Sequence, residues 1–171
     1  PICGFQSKAG YACCRLDLSP AYRRQAKQAF RTFYLDKKQL TAAVLDEAEL
    51  RTENSEYYWM MHTDAAITLS EDGTYAILRK NGKELYVTTF GSKGISFSVM
   101  DPIPLPSSPA IAVRKQEAKN PGVKKLILHL TGLSGQVQCG AVFSGRRIQD
   151  DPDYFLEIQH RCREENIDVT T

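Results

Sequence analysis

The sequence lacks the features that mark membrane proteins, zinc proteins and nucleic-acid-binding proteins. Its apolar runs are far shorter than the roughly 20 residues needed to cross a bilayer, so no membrane association is expected. The five cysteines form no Cys-X-X-Cys pair, which argues against a structural zinc site. A formal net charge of only +2 is too small to indicate binding to nucleic acid or to an anionic membrane.

Recognisable catalytic motifs are equally scarce. His62, His129 and His160 lie far apart, and none belongs to an H-X-H, H-X-X-X-H or H-E-X-X-H pattern. The sequence shows no phosphate-binding glycine loop, nucleophile elbow or convincing Ser/His/Asp order. We therefore predict no catalytic residue, no metal ligand and no cofactor in this chain.

The start of the chain and its cysteines bear on processing and cellular location. The chain begins at Pro1 without a visible signal peptide, and we expect it to be a piece excised from a longer protein. The cysteine count is odd, and the adjacent Cys13 and Cys14 would point to opposite faces of a strand. Free thiols in a reducing compartment are the favoured interpretation, with a disulfide framework as the alternative. The expected location is cytoplasmic, and a secreted or periplasmic parent stays open.

What the sequence does contain is a ladder of short strands at 56–100. The tetrapeptide at 71–74, Glu-Asp-Gly-Thr, and the one at 80–83, Lys-Asn-Gly-Lys, are hairpin turns, and Asn-Gly is a strong signal for a type I′ turn. The segments between and after these turns are rich in β-branched and aromatic residues. This region predicts a meander of antiparallel strands.

Alternating apolar and polar residues predict further strands at 9–18, 27–35, 40–46, 123–131 and 136–143, the last two joined around Gly132 to Gly135. The acidic segment 47–55 is interpreted as a loop or a frayed strand end. Four prolines at 101–109 exclude a helix or a central strand and predict a long surface connection that crosses between sheets.

The end of the chain has a different character and predicts a helix at 151–166. Asp151 is a good N-cap, and Pro152 suits the first helical position. Phe155, Ile158 and Cys162 are spaced to form the apolar stripe of this helix.

About ten strands, one terminal helix and no βαβ rhythm predict an all-β fold. We expect a single antiparallel β-sandwich domain over residues 1–171 with a short C-terminal helix, and a closed barrel is the alternative. The alternation within individual strands argues against a parallel sheet, whose strands would be apolar on both faces.

Two groups of residues are candidates for binding. The aromatic cluster Tyr57-Tyr58-Trp59 could stack on sugar rings, although a place in the core is the favoured interpretation for Trp59. Nearby His62 is interpreted as a hydrogen-bonded structural histidine. Basic pairs could bind an acidic polymer if folding gathered them, although scattered solvated charges are the favoured alternative. These pairs are Arg23-Arg24, Lys37-Lys38, Lys124-Lys125 and Arg146-Arg147.

Several motifs occur in the order seen in a known enzyme family. They are Asp17-Leu18-Ser19-Pro20-Ala21-Tyr22, Ala29-Phe30-Arg31-Thr32-Phe33, Val44-Leu45-Asp46 and Tyr58-Trp59-Met60-Met61-His62-Thr63, with Asp72-Gly73 and Gly82-Lys83-Glu84-Leu85 further on. This order resembles the C-terminal β-sandwich region of heparinase II/III-like polysaccharide lyases. The resemblance covers residues 11–98 well and the remaining strands loosely.

The resemblance implies a bacterial protein whose sandwich packs behind an N-terminal (α/α) toroid. Such lyases cleave uronic-acid glycans by β-elimination, in which a base removes the proton next to the carboxylate while an acid protonates the departing oxygen. The family's catalytic residues come mostly from the toroid, and its sandwich adds a histidine and a metal site near its start, in an H-X-H-X-D-like motif. That motif is missing here, so no family catalytic residue carries over. His62 matches the histidine of a structural W-X-X-H motif.

These observations lead to three hypotheses of function. The favoured one is a non-catalytic sandwich domain that supports the toroid of a lyase for acidic polysaccharides and walls its substrate cleft; zinc would belong to the parent. The first alternative is an independent carbohydrate-binding module with Tyr57, Trp59 and the basic pairs as its surface. The second is a compact enzyme that acts through His62 and a tyrosine.

Overall fold

The computed structural model describes residues 1–108 and 120–164, which form eleven β-strands, one 3₁₀ turn at Ile148–Asp150 and one α-helix. The strands are β1 (Ile2–Ser7), β2 (Tyr11–Asp17), β3 (Ala26–Asp36), β4 (Thr41–Leu50), β5 (Ser55–Thr63), β6 (Ala66–Leu69), β7 (Tyr75–Lys80), β8 (Lys83–Gly91), β9 (Phe97–Met100), β10 (Lys124–Leu133) and β11 (Gln136–Ser144), and the helix is α1 (Pro152–Glu164). The predicted β-sandwich with a short C-terminal helix is confirmed.

The strands form two antiparallel sheets. The large sheet has the order β1-β2-β3-β4-β11-β8-β7-β6, and the small sheet has the order β5-β10-β9. One face of the large sheet packs on the small sheet through a core that includes Trp59, Leu126 and Leu128. Its other face packs against α1 through a second core that includes Leu45 and Ile158. The described residues thus form three layers, with the large sheet in the middle.

Helix α1 begins as its sequence predicts. The Asp151 carboxylate accepts a hydrogen bond from the Tyr154 amide at 3.3 Å, which caps the first turn. Ile158 and Cys162 are buried against the large sheet, and Phe155 packs beside them with its ring edge-on to Phe90. The helix is described as far as Glu164, so the predicted residues 165 and 166 lie outside the described part.

Both predicted hairpin turns have the backbone that their residues favour. Asn81 and Gly82 have φ values of 51° and 71°, as a type I′ turn requires. Gly73 has a φ of 68°, and a Cβ at this position would lie 2.9 Å from the Cβ of Ser96. Glycine is therefore needed there both for its conformation and for space.

Strand β4 is longer than the sequence predicts. It continues to Leu50 through the segment that was expected to be a loop or a frayed end. Ala48 and Leu50 are buried, whereas Glu47 and Glu49 are half-exposed on the opposite face. The acidic residues thus occupy the solvent-facing positions of an alternating strand. Their charge led the segment to be interpreted as a loop.

The assignment of strands to sheets also differs from the predicted meander at 56–100. Strands β6, β7 and β8 pair in sequence within the large sheet, but β5 and β9 belong to the small sheet. Strands β10 and β11, the last predicted pair, likewise lie in different sheets. Gly132 and Gly135, with φ values of 65° and 67°, allow the chain to change sheets between them.

The proline-rich connection does not cross between sheets, as its sequence had suggested. Strands β9 and β10, which it joins, are neighbours in the small sheet. Ile103, from the described part of this connection, accepts a hydrogen bond through its carbonyl from the buried Lys125 amine. This contact holds the start of the connection against the small sheet; Pro109 and the residues up to 119 lie outside the described part.

The cysteines agree with the free-thiol interpretation. All five lie within the described residues, and none of them forms a disulfide there. Cys13, Cys139 and Cys162 are buried in the two cores, where they act as small apolar side chains. Burial raises the pKa of Cys162 to about 12, so this thiol stays protonated at neutral pH and is a poor nucleophile.

The 3₁₀ turn contains a buried amide that finds no partner. Both Oε1 and Nε2 of Gln149 are shielded from solvent without a hydrogen bond to the described residues. We expect Gln149→Met, which keeps the length of the side chain, to raise the free energy of unfolding by about 1–2 kcal/mol, because it removes unsatisfied polar atoms. Urea denaturation measures this change. The matched control is Gln39→Met at an exposed position, which should leave the urea concentration at the unfolding midpoint unchanged. A lower midpoint in Gln149→Met than in the wild type would contradict the prediction.

Candidate functional site

A cleft of about 320 Å³ opens between the two sheets, where the edge strand β5 faces β3 and β4. We refer to it as the inter-sheet cleft. Its apolar floor includes Leu18, Ala29 and Leu50. Its aromatic and polar lining includes Tyr22, Tyr57, Tyr58, Gln25, Arg31 and Glu56. Apolar surface with a few convergent polar groups is the usual composition of a ligand site.

A three-residue network lies at the base of this cleft. Asp46, only 2% exposed, receives hydrogen bonds from Arg31 Nε at 2.5 Å and Arg31 Nη2 at 2.6 Å. The Tyr57 hydroxyl donates to the same carboxylate at 2.8 Å. Because Arg31 and Asp46 belong to the large sheet and Tyr57 to the small one, the network fastens the sheets together.

The network fixes the protonation states of Arg31 and Tyr57. The hydrogen bonds that Arg31 donates to the Asp46 carboxylate raise the pKa of Arg31, so the guanidinium stays charged. Burial, together with the negative charge of Asp46, raises the pKa of Tyr57 well above its usual range. Tyr57 is therefore a neutral phenol at physiological pH, a hydrogen-bond donor rather than a base. Arg31 Nη1 has no hydrogen bond to a described residue and remains able to donate into the cleft.

The three predicted binding residues do not converge. Trp59 is only 4% exposed and packs against the rings of Phe97 and Phe143, with centroids 6.3 and 6.4 Å away, which places it in the core. Tyr57 lines the inter-sheet cleft. His62 is exposed on the opposite face of β5, so these side chains do not form one site.

His62 does not make the hydrogen bond that its structural interpretation requires. It lies opposite Lys125 in the pairing of β5 with β10, and its ring bonds to none of the described residues. His129 is better held: its ring stacks on Tyr58 with centroids 4.0 Å apart, and Nε2 lies 3.5 Å from Glu56 Oε2. His160 is exposed on α1.

The basic pairs are dispersed over the molecule. They lie in the turn after β2, in the β3–β4 hairpin, on β10 and after β11. Lys124 pairs with Asp101, and Arg146 pairs with Asp151. The pairs are therefore scattered, as the favoured interpretation expects, but Lys125 is not a solvated charge, because its side chain is buried and bonds to the Ile103 carbonyl.

Sequence reasoning missed Arg31, Tyr22 and Gln25 as members of a site. One signal was present, because the β3–β4 hairpin places Arg31 directly opposite Asp46. Opposite charges at facing positions of a hairpin indicate an ion pair. Tyr22 and Gln25 come from the irregular turn between β2 and β3, whose path no local pattern predicts.

A second surface feature adjoins the cleft. Phe5, Cys14, Phe33 and Val44 face one another across β1, β2, β3 and β4. They lie on the face of the large sheet that packs on the small sheet, yet Phe5 is 66% exposed and Phe33 is 40% exposed. The small sheet therefore covers only part of this face. We call the uncovered part, with the exposed Ile2 and Leu35 beside this row, the open face.

Two further findings concern the described residues alone. No group of three or more His, Cys, Asp or Glu side chains among them is arranged to hold a metal ion. None of their helices is long and apolar enough to cross a membrane.

Comparison with known proteins gives a likeness of fold. No protein-family model matches the chain, and no curated protein matches it at a significant level. Among solved structures, the chain is similar to a heparinase III gene product, with a TM-score of 0.57 and 14% sequence identity. The similarity covers 84% of this chain but only 21% of the heparinase III chain. The chain thus spans about a fifth of that protein, and it shares the fold of one part of heparinase III.

Proposed function

We propose that this chain is a non-catalytic β-sandwich domain of a heparinase-like polysaccharide lyase, the class of enzyme that cleaves uronic-acid glycans by β-elimination. Its role is to support a helical toroid that carries the catalytic residues. Two facts support the proposal: the fold is similar to a fifth of a heparinase III chain, and the open face is apolar and exposed.

The open face is the observation that carries the supporting role. Single exposed apolar residues are normal on a protein surface, but a contiguous row of large ones marks an interaction site. Here the pairing of strands aligns Phe5 with Phe33, while Ile2 and Leu35 flank them on the same face. Because heparinase III is about five times longer than the matching region, at 21% coverage, the proposed occupant is another domain of a longer chain.

The inter-sheet cleft lies next to the open face. Arg31 lines the cleft, and it belongs to the same face of β3 as Phe33. A helical domain docked on the open face would therefore stand beside the cleft. In this arrangement the sandwich walls one side of a substrate groove without supplying the groups that move protons.

The described residues do not fit a zinc site. His62 and His129 lie on neighbouring strands, but His129 is engaged with Tyr58 and Glu56, and His160 is on α1 in another layer. Any zinc of the parent enzyme would therefore be bound by residues outside the described set.

The activity of the chain tests the proposal. We expect no ultraviolet absorbance of unsaturated uronate when the chain is incubated with heparin, heparan sulfate or alginate, with or without zinc. A rise in absorbance that disappears in His62→Ala would overturn the proposal and make the chain a compact lyase. The absence of a helical domain in the reading frame that encodes this chain would also contradict it.

The open face can be tested directly on the isolated chain. We expect it to bind a hydrophobic dye, and the double substitution Phe5→Ser and Phe33→Ser to remove most of that fluorescence, because these rings supply the exposed apolar area. Leu156→Ser is the control, since Leu156 is 61% exposed on α1, far from the open face. Equal dye binding by the double variant and the control would show that the open face is not the docking surface.

The inter-sheet cleft is the observation that favours the second candidate function, carbohydrate binding by the sandwich itself. Its amphipathic lining can contact a sugar whether or not a catalytic domain is attached.

A further inference from the structure

We infer that the inter-sheet cleft binds one uncharged pyranose residue of a glycan chain, with Tyr22 as the stacking ring and Arg31 and Gln25 as hydrogen-bonding groups. The inference rests on the proposed function, because it names the part of the substrate that this domain contacts. It assigns the uronate of an acidic glycan to contacts elsewhere.

The dimensions of the cleft suit a single sugar ring. Its volume of about 320 Å³ is at the lower end of the range for small-ligand sites. The floor is apolar, with Ala29 and Leu50, and the polar groups stand around it. A pyranose has the same division, since its C–H faces are apolar and its hydroxyls project from the edge.

Tyr22 supplies the aromatic surface. Tyr22 lines the cleft and is 51% exposed, unlike the buried Trp59. The turn that carries it is held by hydrogen bonds from the Tyr22 amide to the Leu18 carbonyl and from the Ala26 amide to the Tyr22 carbonyl. An exposed ring on a fixed backbone is suited to stacking, because little conformational entropy is lost on binding.

Arg31 supplies preorganised donors. Asp46 holds Nε and Nη2, which fixes the plane of the guanidinium, and Nη1 remains for a ligand oxygen. The side chain of Arg31 is 32% exposed, so it reaches solvent at the cleft. The exposed Gln25 adds a donor and an acceptor, and Glu56 adds an acceptor. Together they match hydroxyl groups, which both donate and accept.

The charged groups at the inter-sheet cleft favour an uncharged sugar over an anionic one. The positive charge of Arg31 is offset by the Asp46 carboxylate that binds it. Glu56, which also lines the cleft, adds a negative charge; its carboxylate lies 3.5 Å from His129 Nε2 and also interacts with the Tyr58 hydroxyl. Because Asp46 already offsets the charge of Arg31, the Glu56 carboxylate would repel a uronate or a sulfate, and Arg31 would not balance that repulsion.

Ligand-observed NMR of the chain with defined sugars tests the inference. The probes are cellobiose and N,N′-diacetylchitobiose as uncharged sugars and glucuronic acid as an anionic one. We expect the uncharged disaccharides to bind, Tyr22→Ala to weaken their binding about five- to tenfold, and Tyr22→Phe to retain it, because stacking depends on the ring. Leu156→Ala is the control for a lost exposed apolar side chain.

Gln25→Ala provides a second variant that does not touch the Arg31–Asp46–Tyr57 network, and we expect it to weaken binding as well. Tighter binding of glucuronic acid than of either disaccharide, or equal affinity of Tyr22→Ala and the wild type, would overturn the inference. So would the absence of binding by both disaccharides. Those results would leave the proposed supporting role intact, because that role depends on the open face and on the inactivity of the isolated chain.

Discussion

Replacement of Trp59 by alanine is expected to lower the free energy of unfolding by about 3–5 kcal/mol, the range for removal of a large aromatic side chain from a core. Trp59 is 4% exposed, and its ring lies between Phe97 of the small sheet and Phe143 of the large sheet. The substitution would leave a cavity between the sheets that their backbones cannot close. Urea denaturation followed by far-ultraviolet circular dichroism measures the change without relying on tryptophan fluorescence.

The matched control is Trp59→Phe, which keeps an aromatic ring in the same space. We expect it to lower the free energy of unfolding by less than half as much as Trp59→Ala. The pair of variants also separates the two interpretations of Trp59. If Trp59→Ala kept the stability of the wild type and lost affinity for sugars instead, the ring would be a surface platform and its place in the core would be wrong.

Asp46→Ala is expected to lower the free energy of unfolding by about 2–4 kcal/mol. The change removes the acceptor of two hydrogen bonds from Arg31 and one from Tyr57, and it leaves a charge between the sheets without its partner. Breaking a buried pair by removing one member is strongly destabilising, and we expect somewhat less than the full range because Arg31 is 32% exposed. Chemical denaturation measures the loss.

Two controls show whether the loss comes from the unpaired charge. Asp64→Ala removes the partner of Lys80 from an exposed ion pair, and it should change stability little. The double variant Arg31→Met with Asp46→Leu removes both charges and should recover most of the stability lost in Asp46→Ala. A double variant as unstable as Asp46→Ala would show that the network contributes more than the pairing of its charges.

Local sequence was sufficient to predict most of the secondary structure. The Asn81-Gly82 turn, the helix start at Asp151-Pro152 and the alternation in β10 and β11 each depend on interactions within a few residues. The failure at β4 has the same origin. The acidic residues Glu47 and Glu49 were taken to indicate a loop, although both lie on one face of a strand whose other face is buried there.

The sequence by itself determined the all-β class, the antiparallel pairing, the position of the helix and its buried stripe, because backbone conformation and side-chain periodicity are local. The tertiary structure alone decided which sheet receives β5, β9 and β10, and whether Trp59 or Tyr57 reaches a cleft. An alternating strand has one apolar face whichever sheet it joins, so its pattern does not predict which strands lie beside it. The Arg31–Asp46–Tyr57 network and the inter-sheet cleft bring together residues distant in sequence, and their positions follow only from packing one sheet on the other.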